Sequence, residues 1–256
     1  MGKDQIDSSF TIVGFGDSFT EGVGAPLDST WVRMLDKQLK ECRSDLLCVN
    51  AGTSGSDIVF ETYKFKHLIL ETYKPDLVIF SINNSDINDL VVRGGFERFA
   101  SNNRIVFRHG PWWKYLYNFS YVWRFIAHDI MGVGWSMHTK EEDDILEAVA
   151  KDLIYSTIVN EIVPFAKDHN IITLFVFTPL EQDLDKDSFV FTELAADLEK
   201  HDINVLNLHQ TFSKSHEMDK DYYWKIDRHC NSRGYLVWSK AISADIRGKG
   251  LINCNY

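Results

Sequence analysis

The sequence lacks several features that define whole classes of protein. No uninterrupted apolar stretch in its 256 residues is long enough to cross a bilayer, and the opening MGKDQIDSSF has no apolar core of the signal-peptide kind. No segment is polar or repetitive enough to indicate disorder or a solenoid. We therefore expect a soluble protein, folded throughout, which is cytoplasmic if this N-terminus is native and exported or anchored if a leader was removed.

Basic residues are scarce relative to acidic ones. Lys and Arg number 27 against 37 Asp and Glu, which gives a formal net charge of −10. A chain of this charge repels the phosphates of nucleic acids. We predict no nucleic acid partner and no broad basic binding face.

Cysteine is sparse too. The four cysteines are Cys42, Cys48, Cys230 and Cys254. They show neither CxxC spacing nor the density of a disulfide scaffold. We predict reduced, mostly structural thiols, a composition that favours the cytosol.

Five apolar runs of strand length recur along the chain, and they are continuous rather than alternating. The runs are 10–16, 46–51, 76–82, 171–177 and 203–208. Helical patterns lie at 31–42, 57–73, 141–169, about 188–201 and 232–246. Continuous apolar strands are typical of parallel sheets covered on both faces, and parallel strands need helical crossovers. The pattern predicts a three-layer α/β/α fold with a central, mostly parallel five-stranded sheet.

Chemistry in such a sheet is expected just after the carboxyl ends of the strands. Ser18, in the tripeptide Gly-Asp-Ser, holds that position after the first run, and the loops 50–56 and 83–86 and Pro179 hold it after later ones. Ser18 is therefore a candidate nucleophile. The alternative is that Ser18 caps the next helix, since serine is a favoured N-cap residue.

The stretch KIDRHCNSRGY places Asp227 and His229 in a short polar loop before the last helix. Side chains two residues apart in an extended loop point the same way, so the carboxylate can reach Nδ1 and leave Nε2 free for a serine. The alternative is a surface Asp and His near a helix start, with Asn231 as the cap.

In combination, these motifs resemble the SGNH (GDSL-type) hydrolase superfamily. The matching blocks are Gly16-Asp17-Ser18, with Phe19 where Leu is usual; Asn50-Ala51-Gly52-Thr53-Ser54-Gly55; Pro75-Asp76-Leu77-Val78-Ile79 leading into Asn83-Asn84-Ser85-Asp86; and Asp227-Arg228-His229-Cys230-Asn231 with Gly234. The blocks cover the chain from residue 11 to about 245 and stand in the family's order. The spacing of Asp227 and His229 is one residue shorter than the commonest family form.

The resemblance implies an esterase-like site. Ser18 would attack an acyl carbonyl, His229 would relay the proton and Asp227 would hold His229. The backbone N–H groups of Ser18 and Gly55 would donate to the oxyanion. Gly55 is preferred over Gly52, and a residue without Cβ lets its N–H approach the substrate closely.

The third block departs from the family pattern Gly-x-Asn-Asp, in which the Asn side chain is the third oxyanion donor. The register from Pro75 puts Asn83 at the glycine and Ser85 at that asparagine. Either Ser85 donates, or Asn84 or Asn83 replaces it, or the hole has two donors; losing one donor costs roughly 3 kcal/mol. Alternatively, 83–86 is a loop rich in turn formers.

The chain is predicted to be one domain, 1–256, with an insertion at 91–140 that interrupts the alternation. Four of the seven tryptophans lie there: Trp112, Trp113, Trp123 and Trp135. With Lys114 and Arg124 among them, they predict a hydrophobic lid or wall beside Ser18 and a membrane-surface contact through 107–135. The alternative is that this aromatic stripe is simply part of a core. His109, His128 and His138 show no metal-ligand spacing, and we predict neither metal nor cofactor.

These observations predict a serine hydrolase that cleaves an O-acyl ester of a lipid or carbohydrate through Ser18, His229 and Asp227 and an acyl-enzyme intermediate. An O-acyltransferase would use the same triad. A different class is a catalytically weak or inactive relative that binds acylated glycans or lipids. A flavodoxin-type nucleotide-binding domain is disfavoured, because residues 14–18 lack phosphate-loop glycine spacing and place an anion there.

Overall fold

The computed structural model describes residues 9–93, 95–99, 114–131, 140–184, 189–216 and 221–254. The chain divides into two compact units, one of 1–86 with 155–256 and one of 87–154. The predicted insertion, 91–140, falls within the second unit. That the chain forms one domain with an insertion stays a prediction.

The first unit contains a five-stranded sheet in which every neighbouring pair is parallel. Its strands are β1 (Phe10–Phe15), β2 (Leu46–Asn50), β3 (Leu77–Asn83), β4 (Ile172–Thr178) and β5 (Val205–Asn207). Their spatial order is β2-β1-β3-β4-β5, so the direction of winding reverses between β1 and β3. Every residue of β3 is buried, as expected for a strand covered on both faces. The predicted α/β fold is confirmed.

Helices follow or connect the strands. They are α1 (Ser18–Glu21), α2 (Trp31–Lys40), α3 (Ile58–Lys64), α4 (Leu70–Tyr73), α5 (Asn84–Arg93), α6 (Lys114–Phe119), α7 (Tyr121–Phe125), α8 (Lys140–Thr157), α9 (Val163–Asp168), α10 (Thr192–Lys200), α11 (His209–His216) and α12 (Ser232–Gly248). The π-helical turns Phe65–Ile69, Ile126–Ile130 and Ile158–Ile162 continue α3, α7 and α8. The predicted helical patterns did not include α1, α5, α6, α7 or α11.

Aromatic side chains pack the helices onto both faces of the sheet. On one face Trp31 of α2 stacks on Trp238 of α12, with ring centroids 5.5 Å apart. On the other, Phe15 of β1 stacks on Phe80 of β3 at 4.8 Å, and Phe65 contacts Phe15 edge-on at 5.7 Å. These contacts produce the predicted three layers and fix the strand ends that carry the site.

The cysteines differ from the prediction. Cys42 and Cys254 form a disulfide, with Cα atoms 4.9 Å apart, whereas Cys48 and Cys230 are buried thiols. The prediction of four reduced cysteines is therefore wrong for one pair. The two residues are 212 positions apart, so no local spacing could indicate a pairing that only the fold creates. Reduced cysteines therefore no longer support a cytosolic location.

The described part of the second unit exposes aromatic side chains on α6 and α7. Phe119 is 87% exposed and Tyr121 is 81% exposed, and the guanidinium of Arg124 lies 4.5 Å from the Tyr121 ring centroid. The predicted lid also includes Trp112, Trp113 and Trp135, which lie outside the described residues. Its role and the membrane-surface contact through 107–135 stay predictions. Within the described ranges, no helix combines the length and apolar character needed to span a bilayer.

Candidate active site

Ser18 lies just after the carboxyl end of β1. It follows the turn at Gly16 and Asp17 and is the first residue of α1. Asp17, not Ser18, caps α1: its Oδ1 accepts a hydrogen bond from the Phe19 N–H at 2.9 Å. Since another side chain supplies the cap, the Ser18 hydroxyl is not needed for it. The sequence left capping and nucleophilic roles open for Ser18, and the observed cap removes the first.

His229 comes from the far end of the chain and lies beside Ser18. The distance from His229 Nε2 to Ser18 Oγ is 2.8 Å, although the residues are 211 positions apart. A tight turn sets this position, with Trp224 N donating to the His229 carbonyl and Arg228 N donating to the Trp224 carbonyl, both at 2.9 Å. The Phe19 ring packs against the imidazole, with centroids 4.9 Å apart.

Asp227 lies near His229 but does not bond to its ring. The distance from Asp227 Oδ2 to His229 Nδ1 is 3.8 Å, longer than a hydrogen bond. Asp227 Oδ1 accepts instead from the His229 backbone N–H at 3.2 Å. Nδ1 of His229 is buried and has no hydrogen-bond partner in the part of the chain that the structure describes. All three predicted triad residues thus lie close together. The distance from Asp227 Oδ2 to His229 Nδ1 is about 1 Å longer than a hydrogen bond.

Two backbone N–H groups are available near the serine. Neither the Ser18 N–H nor the Gly55 N–H donates to any residue among those described. The Gly52 N–H, by contrast, donates to Asn50 Oδ1 at 2.8 Å. Gly55 has φ 68°, a left-handed conformation that favours glycine. The arrangement agrees with the preference for Gly55 over Gly52.

The side chains of the third block turn towards Asp17. Asn83 Nδ2 donates to Asp17 Oδ2 at 3.1 Å, and the Ser85 hydroxyl lies 2.9 Å from the same oxygen. Ser85 Oγ also contacts Asn83 Oδ1. Asn84, the first residue of α5, makes only a long contact of 3.5 Å, from Nδ2 to Asp183 Oδ1. Of the side chains of Asn83, Asn84 and Ser85, that of Asn84 is the least engaged in hydrogen bonds with its neighbours.

Asp17 is the centre of this network and is only 2% exposed. Burial raises the pKa of its carboxyl, and hydrogen bonds from Asn83, Phe19 and Ser85 oppose that shift. The sequence did not single out Asp17 beyond its place beside the serine. An Asp between a glycine and a serine at a strand end also fits a plain turn, so no signal in the sequence marked its burial.

Two charged side chains fasten the loop that carries Gly55. Glu21 Oε2 accepts from the Ser54 N–H at 2.7 Å and from the Ser54 hydroxyl. Lys64 Nζ donates to the Ala51 carbonyl and, at 2.7 Å, to Thr53 Oγ1. Burial lowers the pKa of Lys64, and Glu61 and Glu21 oppose that shift. The sequence did not reveal these residues, because charges on helices usually face solvent.

No group of three His, Cys, Asp or Glu side chains among the described residues could hold a metal ion. His109 and His138 lie outside the described residues, and nothing is assigned to the side chain of His128. The groups that come together beside Ser18 are one hydroxyl, one imidazole, one carboxylate and backbone N–H donors.

Comparison with known proteins gives fold-level similarity at low sequence identity. No protein-family model matches the chain, and no curated protein matches it significantly. Among solved structures, a member of the lipolytic G-D-S-L family from Veillonella parvula matches with TM-score 0.53 and 16% identity over 91% of this chain and 95% of that one. Axe2, an acetylxylan esterase from Geobacillus stearothermophilus, matches as a catalytic mutant with TM-score 0.55 and 14% identity over 97% of both chains.

A two-domain esterase active on acetylated mannans matches with TM-score 0.57 and 9% identity over 99% of this chain. The match covers 53% of that protein, so this chain spans about half its length. At these identities the comparisons establish the fold. The chain has the same α/β fold as these esterases and this member of the lipolytic G-D-S-L family, which confirms the predicted fold.

Proposed function

We propose that this protein is a carboxylic ester hydrolase of the SGNH type, with Ser18 as nucleophile, His229 as general base and Asp227 as the group that orients His229. The observation that carries the proposal is the 2.8 Å distance between Ser18 Oγ and His229 Nε2. A serine hydroxyl is a weak nucleophile until an adjacent base removes its proton. The location at the reversal between β1 and β3 supports it further, because ligands of open α/β sheets bind there.

The proposed reaction has two halves. In the first, His229 Nε2 takes the Ser18 proton while Oγ bonds to the acyl carbon, and the N–H groups of Ser18 and Gly55 donate to the oxyanion. The imidazolium then protonates the departing alcohol, which leaves an acyl ester on Ser18. In the second half, His229 takes a proton from water as its oxygen attacks the ester, and Oγ regains the proton as the acid departs. If an alcohol replaces water, the same steps give acyl transfer.

Asp227 would act by holding the ring of His229. A carboxylate bonded to Nδ1 keeps the proton there, leaves Nε2 as the acceptor and stabilises the imidazolium. The Asp227 side chain is half exposed, and an approach of about 1 Å from its 3.8 Å position brings it to hydrogen-bond distance. Its bond to the His229 backbone N–H already holds the carboxylate on the correct side of the ring.

For the third oxyanion donor we propose Asn84. The hydroxyl of Ser85 and the amide of Asn83 are both engaged with Asp17, which leaves the Asn84 amide as the side-chain donor next to the end of β3. Asn84 supplies the same amide chemistry as the family's asparagine, from one position earlier in the chain. With Asn84, the proposed site has three oxyanion donors.

The proposed substrates are O-acyl esters of lipids or carbohydrates. Two of the matched structures are esterases by name, one active on acetylated mannans and the other an acetylxylan esterase. Their names support an acetylated glycan as the first substrate class to test. Small acetyl esters fit the same chemistry, because only the acyl carbonyl must reach Ser18.

A second candidate is a catalytically weak relative that binds acylated glycans or lipids. The observation in its favour is that His229 Nδ1 has no partner among the described residues, while the Ser85 hydroxyl is turned onto Asp17. An enzyme with an unoriented imidazole and two oxyanion donors would turn over slowly. The two candidate functions predict different rates of ester hydrolysis, so the same assay distinguishes them.

The test is hydrolysis of p-nitrophenyl acetate and of acetylated mannan and xylan by the wild-type protein and by Ser18→Ala. We expect wild-type turnover and a loss of roughly 10³-fold or more in the variant, since Ser18 supplies the covalent step. His229→Ala is assayed in the same way. Its matched control is His67→Ala, which alters an exposed histidine on the π-helical turn after α3. Equal rates for wild type and Ser18→Ala would refute the proposal.

A further inference from the structure

Glu61 is a buried acid that the proposed reaction does not use. It lies in α3, has no solvent exposure, and its Oε1 is 2.8 Å from the hydroxyl oxygen of Ser56. Its other oxygen, Oε2, is buried and has no partner in the described part of the chain. An ionised carboxylate with one unpaired oxygen in the interior is very costly, whereas a neutral carboxylic acid with a bonded hydroxyl and one unpaired carbonyl oxygen costs much less.

Ser56 connects the two loops that carry the proposed oxyanion donors. It directly follows Gly55, and its Oγ lies 3.0 Å from the carbonyl oxygen of Gly16, two residues before Ser18. The Thr53 N–H donates to the same carbonyl at 2.9 Å. A serine hydroxyl has one proton, so Ser56 can donate either to Gly16 or to Glu61, but not to both.

We propose that Glu61 is a positioning residue that acts as a neutral acid: its O–H donates to Ser56 Oγ, and the Ser56 O–H then donates to the Gly16 carbonyl. The directed chain from Glu61 through Ser56 to Gly16 holds the Gly55 loop against the Ser18 turn. The proposal rests on the proposed function, since it concerns the alignment of the same N–H donors. When Glu61 loses its proton, Ser56 donates to the carboxylate instead, and the bond to Gly16 is lost.

The charges around Glu61 favour the neutral form. Burial raises the pKa of Glu61 to about 8; the Ser56 hydrogen bond lowers it, Asp17 and Asp57 raise it, and Lys64 lowers it. These groups come from the nucleophile turn, from the N-cap of α3 and from α3 itself. Asp86 of α5 also faces the cluster, and burial together with Asp17, Glu61 and Asp57 raises its pKa well above the usual range.

The decisive variant is Glu61→Gln. A glutamine amide donates to Ser56 at every pH and has nearly the same shape, so it imitates the protonated acid permanently. We expect wild-type kcat to fall roughly tenfold as pH rises through about 8, because oxyanion donors lose alignment. Glu61→Gln should keep its kcat above that pH. If the alkaline loss came from Lys64, Glu61→Gln would show it unchanged, and that result would overturn the proposal.

Two further variants complete the test. Ser56→Ala removes the link, so its kcat should be roughly tenfold below wild type at neutral pH and should lack the alkaline loss; wild-type kcat in Ser56→Ala contradicts the proposal. Asp36→Asn is the matched control, because Asp36 is a buried acid of α2 that accepts from the Cys48 N–H at 2.9 Å, away from the site. Asp36→Asn should retain the wild-type alkaline loss.

A readout independent of turnover separates this proposal from the proposed function. Infrared difference spectra recorded below and above about pH 8 should show the carbonyl stretch of a protonated carboxylic acid that disappears on titration in wild type. Burial also raises the pKa of Asp17 and Asp86, so the Glu61 contribution is the part of the band that is missing in Glu61→Gln. A protein that hydrolyses no ester but shows this difference between wild type and Glu61→Gln refutes the proposed function and supports a neutral Glu61; a spectrum in which Glu61→Gln matches wild type refutes the Glu61 proposal.

Discussion

Asp17, next to the proposed nucleophile, is the centre of a hydrogen-bond network and has no part in the proposed reaction steps. Its carboxylate accepts from Phe19 N, Asn83 Nδ2 and Ser85 Oγ, so it joins the Ser18 turn to the end of β3. In the proposed site, the same bonds leave the Asn84 amide as the third-block donor least engaged with its neighbours. Which side chain can donate to a substrate then depends on which donors are already occupied, and not on residue type alone.

The long Asp227–His229 distance predicts unequal roles within the triad. His229→Ala should lower kcat by about 10²–10⁴-fold, the range for a general base. Asp227→Ala should cost roughly tenfold less, since Oδ2 lies 3.8 Å from Nδ1 and the carboxylate is half exposed. Steady-state kinetics on p-nitrophenyl acetate measures both. Equal losses would show that the pair is fully hydrogen-bonded during turnover.

The third oxyanion donor can be assigned by two neighbouring variants. Asn84→Ala should reduce kcat by roughly 10²-fold with little change in KM, because an oxyanion donor acts in the transition state. Ser85→Ala should cost less than tenfold in kcat and about 1 kcal/mol of stability, because its hydroxyl serves Asp17 and Asn83. The reverse order of the two kcat losses would assign the role to Ser85.

At the scale of elements, the site depends on close contact between α1 and the loop after β2. A Cβ built at Gly52 would lie 2.2 Å from the backbone nitrogen of Glu21, and Glu21 in turn holds Ser54. Backbone atoms cannot move aside as a flexible side chain can. The loop therefore approaches α1 only because residue 52 has no side chain.

Gly52→Ala should separate α1 from this loop and destabilise the protein by about 1–3 kcal/mol. The matched control is Gly248→Ala, at the end of α12, where a Cβ meets no atom within 4 Å. Gly248→Ala should change the free energy of unfolding by no more than about 0.5 kcal/mol. Thermal and urea unfolding measure both variants. A Gly52→Ala protein as stable as Gly248→Ala would contradict the described approach of the loop.

The sequence was informative where a pattern is local. The apolar runs predicted every strand to within two residues, and the short motifs placed Ser18, Gly55 and His229 at one end of the sheet. It failed for α5, because Asn84, Ser85 and Asp86 are turn formers that here begin a helix. It also failed for Glu61, because a glutamate in a helical pattern is ordinarily a solvated one. Tertiary burial decided both cases.

At the scale of the whole molecule, the buried acids make folding depend on pH. Burial raises the pKa of Glu61 from about 4.5 to about 8, and it raises those of Asp17 and Asp86 as well. Between these pH values the folded protein keeps protons that the unfolded chain releases. The stability contributed by neutral Glu61 is complete below about pH 4.5 and is lost as pH rises through about 8.

The melting temperature should therefore fall over this pH range, and it should fall less steeply in Glu61→Gln than in wild type. Asp28→Asn is the control, because the Asp28 side chain is 76% exposed and its removal should leave the slope unchanged. Calorimetry at several pH values gives both slopes. A Glu61→Gln slope identical to that of wild type would mean that Glu61 ionises normally in the folded protein.

The proposed function requires that His229 activates Ser18 as a nucleophile. Mass spectrometry of the protein after treatment with a fluorophosphonate tests this requirement. We expect one adduct, on the peptide that contains Ser18, which is absent from Ser18→Ala and His229→Ala and retained in His67→Ala. An unmodified wild-type protein, or an adduct on a different residue, would contradict the proposed function.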